Sequence, residues 1–219
     1  HAQAIGRLAI CIFLFAIPKT IFMICSLVGL PFHYLLRWPC SPFTAVGLVL
    51  GLVSFFNILY GTLVGISKFE VKDIEFHHPN LPKAFDGYRI VQLSDIHIGS
   101  WIDNEKTINE LVELVNAQKP DLIVFTGDLV NQRSCELEGF QDILAQLHAK
   151  DGVYSILGNH DYGSYYHWKN LKEQVNNIDN LIRMQKTMGW KLLNNEYDIL
   201  HHEGVSIALI GVENDGEPL

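Results

Sequence analysis

Phe43 to Ile66 runs for 24 residues without a charged side chain. As a helix it reaches about 36 Å, more than the roughly 30 Å hydrocarbon core of a bilayer. Nothing in it is polar enough to form a wet face, so an amphipathic helix of a soluble domain is a poor fit. It reads as a transmembrane helix. Thr20 to Leu36 is also uncharged, with Pro31 and His33 near its end. Leu8 to Ile17 is a ten-residue apolar run stopped by Pro18-Lys19. These two runs form either two spans, the first one short, or one long kinked element. A cleaved signal peptide fits less well, because the apolar length is too great and no small-residue cleavage site precedes a mature domain. Tyr60 and the Trp38-Pro39 pair suit interfacial positions. Residues 1–66 are therefore expected to be a membrane anchor, with spans at about 8–36 and 43–66.

Charge divides the chain at the same place. Residues 1–66 hold Arg7, Lys19 and Arg37 and no acid, while 67–219 hold all 24 acidic residues and the other 13 basic ones. Lipid suits the first part and water the second. Arg7 and Arg37 against Lys19, Lys68 and Lys72 give no positive-inside bias. The acidic second part excludes a basic nucleic-acid surface, and its 153 residues suffice for one core. Cys135 is its only cysteine, so no disulfide forms within it.

The second part has a rhythm. Lys68–Phe76 alternates and predicts a strand leaving the membrane. Tyr88–Leu93, Asp121–Phe125 and Gly152–Leu157 predict three further strands. Between them, Ile108, Leu111, Val112 and Val115 mark one helix face, and Leu137, Phe140, Ile143, Leu144 and Leu147 a second. Strand, helix, strand, helix, strand with short links implies a parallel sheet with right-handed crossovers. A polar helix at about 168–188 follows, then short strands at 191–193, 197–200 and 205–210. The last two are expected to form a hairpin turning at His202-Glu203-Gly204.

Each parallel strand ends in a polar cluster: Asp95-Ile96-His97, then Gly127-Asp128, then Gly158-Asn159-His160-Asp161. Ligands of open parallel sheets sit just beyond the carboxyl ends of the strands. Asp, His and Asn together offer carboxylate, imidazole and amide oxygen, which suits Mn, Fe or Zn ions. A bridging carboxylate can hold two such ions about 3.5–4 Å apart and clamp a phosphate. Asp95 and Asp128 taken singly also fit helix N-caps. Tyr162, Tyr165, Tyr166 and Trp168 either line a pocket, face the membrane interface or pack in the core. Asn131 is a further candidate to face the site.

DxH, GD and GNHD in this order and spacing resemble the calcineurin-like metallophosphoesterase family over residues 67–219. The anchor in front is similar to that of membrane-anchored bacterial members. The resemblance implies an α/β fold, with the transmembrane helices followed by a partial α-β-β-α sandwich. It implies that Asp95 and His97 bind a first metal, Asp128 bridges two, and Asn159 binds the second. It implies that His160 contacts the phosphate and protonates the leaving oxygen, and that Asp161 orients His160. The implied cofactors are two divalent ions (Mn, Fe or Zn). The implied reaction is attack of a metal-bound hydroxide on a phosphomonoester or phosphodiester.

The family pattern continues with a further His and a GHxH, which this chain lacks. His201-His202 fall at the expected hairpin turn and are poor substitutes. The expectation is a chain truncated before those motifs, with the remaining ligands beyond Leu219. The expected partners are a phosphorylated small-molecule or lipid-linked substrate and the membrane, with no nucleic acid. The expected location is the inner or plasma membrane, with the catalytic domain outside the cytoplasm. The alternative is a membrane-tethered, non-catalytic binding or scaffold module with an incomplete metal site.

Overall fold

The computed structural model describes residues 2–37 and 42–214. Trp38-Pro39 and the tail from Asp215 lie outside them. The chain divides into two compact units, His1–Asp73 and Ile74–Leu219.

The first unit is a pair of helices, α1 (Ala2–Leu36) and α2 (Pro42–Leu63). The upstream runs are thus one element: α1 continues through Pro18 and Pro31. Pro42 opens α2, where its missing N–H leaves no bond unmade. Leu8–Leu36 and Pro42–Leu63 are each long and apolar enough to cross a membrane. Phe13 and Leu27 on α1 and Val49 and Phe56 on α2 stay exposed. The helices meet along small residues. A Cβ on Gly47 would sit 2.7 Å from Cys25 Cβ, and one on Gly51 3.1 Å from the Pro18 carbonyl. Glycines one turn apart let the backbones touch where lipid supplies no hydrophobic drive. Phe32 stacks on Phe43 at 4.9 Å beyond that seam.

The strand expected at 68–76 is not formed: this segment carries no strand pairing. Val71, Ile74 and Phe76 are exposed. Alternation makes a strand only where a neighbouring strand completes the ladder, and none among the described residues does so here.

The second unit is built on a parallel sheet in the order β1 (Ile90–Leu93), β2 (Leu122–Phe125), β3 (Val153–Ser155), β4 (Lys191–Leu192). Ile90 pairs with Leu122, Ile123 with Val153 and Tyr154 with Lys191. The crossovers carry α3 (Glu105–Ala117), α4 (Gln141–Leu144) and α5 (Leu171–Thr187). All three crossovers step the same way, so right-handedness puts them on one face. On that face Phe125 packs against Trp190 at 5.4 Å. Ser155 Oγ also meets Gln185 of α5. The α3 stripe of Ile108, Leu111, Val112 and Val115 is buried as its spacing predicts. The Asn170 side chain caps α5 by accepting the Glu173 N–H at 3.0 Å.

The second expected helix shrinks to one turn. Leu137, Phe140, Ile143, Leu144 and Leu147 are buried, yet a 3-10 turn (Ser134–Leu137) precedes α4 and Gly139 sits at φ 87° between them. A residue in the left-handed region ends a helix. The opposite face of the sheet is covered by an antiparallel hairpin, β5 (Glu196–His202) and β6 (Val205–Gly211). Leu200 and Leu193 pack there against Leu122 and Tyr154. The layers are helix, parallel sheet and second sheet, in agreement with the expected partial sandwich.

Candidate metal centre

The loops after β1 and β2 stay paired beyond the strands. Asp95 N–H donates to the Gly127 carbonyl at 3.0 Å, and His97 N–H to that of Asp128 at 3.0 Å. Asp95, His97 and Asp128 have φ of 55°, 46° and 60°. Asp and His tolerate this region better than most residues, and strain of this kind gathers at functional sites. The loops after β2 and β3 touch backbone to backbone. A Cβ on Gly127 would lie 2.5 Å from Gly158 N, and one on Gly158 would collide with Asp128 Oδ1.

Asp161 locks that contact. Its side chain is fully buried. Oδ2 accepts from Asp128 N–H at 2.8 Å and Gly158 N–H at 3.0 Å, and Oδ1 from Leu129 N–H at 2.9 Å and Val130 N–H at 3.1 Å. Burial pushes its carboxyl up to about 6, against the pull of these N–H groups. The expectation that Asp161 orients His160 is corrected. Its acceptors are occupied by four backbone donors, because the two turns leave N–H groups that no strand can satisfy.

The His160 ring is held instead by the backbone of Asn131, with Nδ1 2.7 Å from the Asn131 carbonyl. A carbonyl only accepts, so Nδ1 carries a proton. Asn131 thus serves the site through its main chain. The His160 N–H donates to Asp128 Oδ1 at 2.9 Å, and its ring lies 4.7 Å from that of His97, edge to face. Asn159 Nδ2 donates to the Tyr165 hydroxyl at 3.0 Å, which directs the amide oxygen away from that bond. Tyr162 is core, and Tyr166 and Trp168 pack on each other at 4.7 Å.

Ligand atoms of His97, Asp128 and His160 lie within 4.8 Å of one another. His97 Nε2 is 3.8 Å from both Asp95 Oδ1 and Asp128 Oδ2. That is too long for a hydrogen bond. It is near the roughly 3.4 Å between two ligands of a tetrahedral ion with bonds of about 2.1 Å. Asp128 is buried, and no Lys or Arg among the described residues pairs with it. A buried carboxylate without a cation is costly, so this donor set fits a divalent ion.

An open cleft of about 390 Å³ is lined by Asp95, Asp128 and Asn159 and also by Val212, Glu213 and Asn214. The sequence reading missed Glu213. It accepts from Tyr162 Oη at 2.8 Å, Asn194 Nδ2 at 3.2 Å and Asn195 Nδ2 at 3.0 Å. Those partners hold its carboxyl below the usual range. It lies just past the end of β6, a strand of the antiparallel hairpin, to which the rule for parallel strands did not extend. His201 and His202 are not brought to the site. His201 Nδ1 meets Ser206 Oγ at 2.7 Å, and His202 packs 5.5 Å from Phe85.

A parallel sheet with carboxylate, imidazole and amide donors at its carboxyl edge defines a metal-binding α/β domain. The chain belongs to the calcineurin-like phosphoesterase family, whose profile matches residues 88–215. A transmembrane protein with metallophosphoesterase domain from Danio rerio is 35% identical over 104 residues, 48% of this chain and 24% of the relative. UDP-2,3-diacylglucosamine pyrophosphatase LpxG of Chlamydia trachomatis is 36% identical over 103 residues, 45% of this chain and 31% of the relative. A metallophosphoesterase of Campylobacter jejuni is 33% identical over 127 residues, 58% of this chain and 30% of the relative. The chain thus spans between 24% and 31% of the length of these relatives. No solved structure matches it significantly.

Proposed function

We propose that this chain carries the membrane anchor and the first metal-ligand motifs of a phosphoester hydrolase that works with two divalent ions. The observation that carries the reading is the convergence of His97, Asp128 and His160 ligand atoms within 4.8 Å, beside an open cleft. Asp95 and His97 would hold one ion, Asp128 would serve both, and Asn159 would offer its amide oxygen to the second. Bound ions supply positive charge for the phosphoryl oxygens and acidify water near neutral pH. His160 faces the phosphate: with Nδ1–H held by Asn131, a protonated Nε2 donates to the leaving oxygen. Asp161 fixes the turns on which Asp128 and His160 stand.

Residues 1–66 form the anchor and 67–219 the phosphoesterase part. The substrate class is a phosphorylated small molecule or a lipid-linked phosphate at the inner or plasma membrane, with the phosphoesterase part outside the cytoplasm. A relative named as a pyrophosphatase of UDP-2,3-diacylglucosamine supports that class. The acidic phosphoesterase part speaks against nucleic acid.

The test is turnover of bis-p-nitrophenyl phosphate with Mn²⁺ by the wild-type protein and by Asp128→Asn. Chelator-sensitive turnover that Asp128→Asn abolishes supports the reading. Equal rates in the two proteins remove Asp128 from the chemistry.

A further inference from the structure

We infer that Glu136 is a positioning residue for His160, acting through the backbone of Asn131. Its carboxylate collects the N–H groups of a whole turn. Oε2 accepts from Asn131 N–H at 2.6 Å and Gln132 N–H at 3.4 Å, and Oε1 from Arg133 N–H at 3.2 Å. The Asn131 carbonyl, across the same Cα, accepts the His160 Nδ1–H at 2.7 Å. The Asn131 carbonyl shares its planar peptide unit with the Gln132 N–H, so the bonds from Asn131 N–H and Gln132 N–H, one on each side of the Asn131 Cα, together fix the direction of that carbonyl, and the carbonyl fixes the ring and its tautomer. The hydrogen bond made by one ring nitrogen decides which nitrogen carries the proton and how the ring is turned.

A simple turn cap accounts for less than is seen. Capping the 3-10 turn at Ser134–Leu137 requires the bond to Arg133 N–H, yet the shortest bond goes to Asn131, outside the turn. At 2.6 Å, against 3.2 Å for Arg133 and 3.4 Å for Gln132, the Asn131 link is the firmest of the three. The loop that follows His97 closes on the same carboxylate. A Cβ on Gly99 would lie 2.6 Å from Glu136 Oε2 and 2.7 Å from Asn131 Oδ1. Asn131 Nδ2 also donates to Ser100 Oγ at 3.0 Å. Glu136 therefore sits where the His97 loop and the Asn131 turn meet, and holds the second in place for His160.

The catalytic consequence rests on the proposed role of His160; the positioning does not. The experiment takes the full chain in detergent micelles, metal-free and ¹⁵N-labelled at histidine, with the His160 signals assigned by their loss in His160→Gln. Two variants are compared. Glu136→Gln keeps the length and loses the charge, while Glu136→Asp keeps the charge and loses the reach. Both are expected to move the His160 ring nitrogens away from the pure Nδ1–H pattern toward a mixture of tautomers. Turnover with Mn²⁺ is expected to fall about tenfold in kcat, with KM little changed. Folded variants with wild-type His160 signals overturn the inference and leave Glu136 as a turn cap. If one variant does not fold, the other decides. Altered signals with unchanged turnover uphold the positioning and overturn the role given to His160 in catalysis.

Discussion

The Asp128 N–H donates to Asp161 Oδ2 at 2.8 Å, one of four backbone donors that the fully buried Asp161 carboxylate collects. Asp161→Asn offers one acceptor oxygen in place of two and turns an NH₂ toward N–H groups. Two buried donors then lose their acceptor, at about 1–3 kcal/mol each. The expected loss is roughly 2–6 kcal/mol of unfolding free energy, read by denaturant titration followed through tryptophan fluorescence. A variant of unchanged stability sinks the structural role assigned to Asp161.

Tyr165 sets the amide of Asn159 through its hydroxyl and lays its ring 4.8 Å from that of His160. Tyr165→Phe keeps the ring and removes the hydroxyl. Calorimetric titration with Mn²⁺ is expected to show binding weakened by about tenfold, the low end for loss of an outer partner of a ligand. An isotherm identical to the wild type excludes Asn159 as a ligand oriented by Tyr165.

Asp198 on β5 is expected to make the hairpin acid-sensitive. The Lys191 ammonium and then the Tyr154 hydroxyl hold its carboxyl at about 2, below its ordinary 3.8. A folded-state value below the unfolded one gives stability that is complete above about 4 and lost as pH falls toward 2. Stability measured at pH 4, 3 and 2 is expected to fall more steeply in the wild type than in Asp198→Asn. Parallel slopes count against the pairing.

The helix seam predicts a cross-link. A Cβ on Gly47 would stand 2.7 Å from Cys25 Cβ, and disulfides need about 3.5–4.5 Å. A shift of roughly 1 Å between the helices brings Gly47→Cys into that range. Mild oxidation of the protein in micelles is expected to join Cys25 to the introduced thiol, seen by mass spectrometry after proteolysis. Absence of that bridge means α1 and α2 do not meet along the Gly47–Gly51 stripe.

Much of this protein was legible in local chemistry. The uncharged run at 43–66 specified an apolar helix long enough to cross a membrane, formed as Pro42–Leu63, because a peptide of that length without polar groups has lipid as its good solvent. The stripe at 108–115 and the runs at 88–93, 121–125 and 152–157 specified α3 and three strands through side-chain pattern, and their alternation with helices specified a parallel sheet. The polar clusters at 95–97, 127–128 and 158–161 specified the edge on which chemistry gathers, because parallel strands carry their carboxyl ends together. Other features depended on distant partners. Alternation at 68–76 promised a strand, and no neighbouring strand completed it. The stripe from Leu137 promised a helix, and Gly139 took a left-handed conformation that left one turn. Asp161 follows His160 in sequence and looked like its partner. The carboxylate instead turned inward to backbone N–H groups from 128–130, some thirty residues earlier, and the ring went to the carbonyl of Asn131. Residue type and period are local properties and can be read from a chain. Which donor meets which acceptor is decided only when the loops close on each other, since every buried N–H and carbonyl must then find a partner among whatever the fold has brought near.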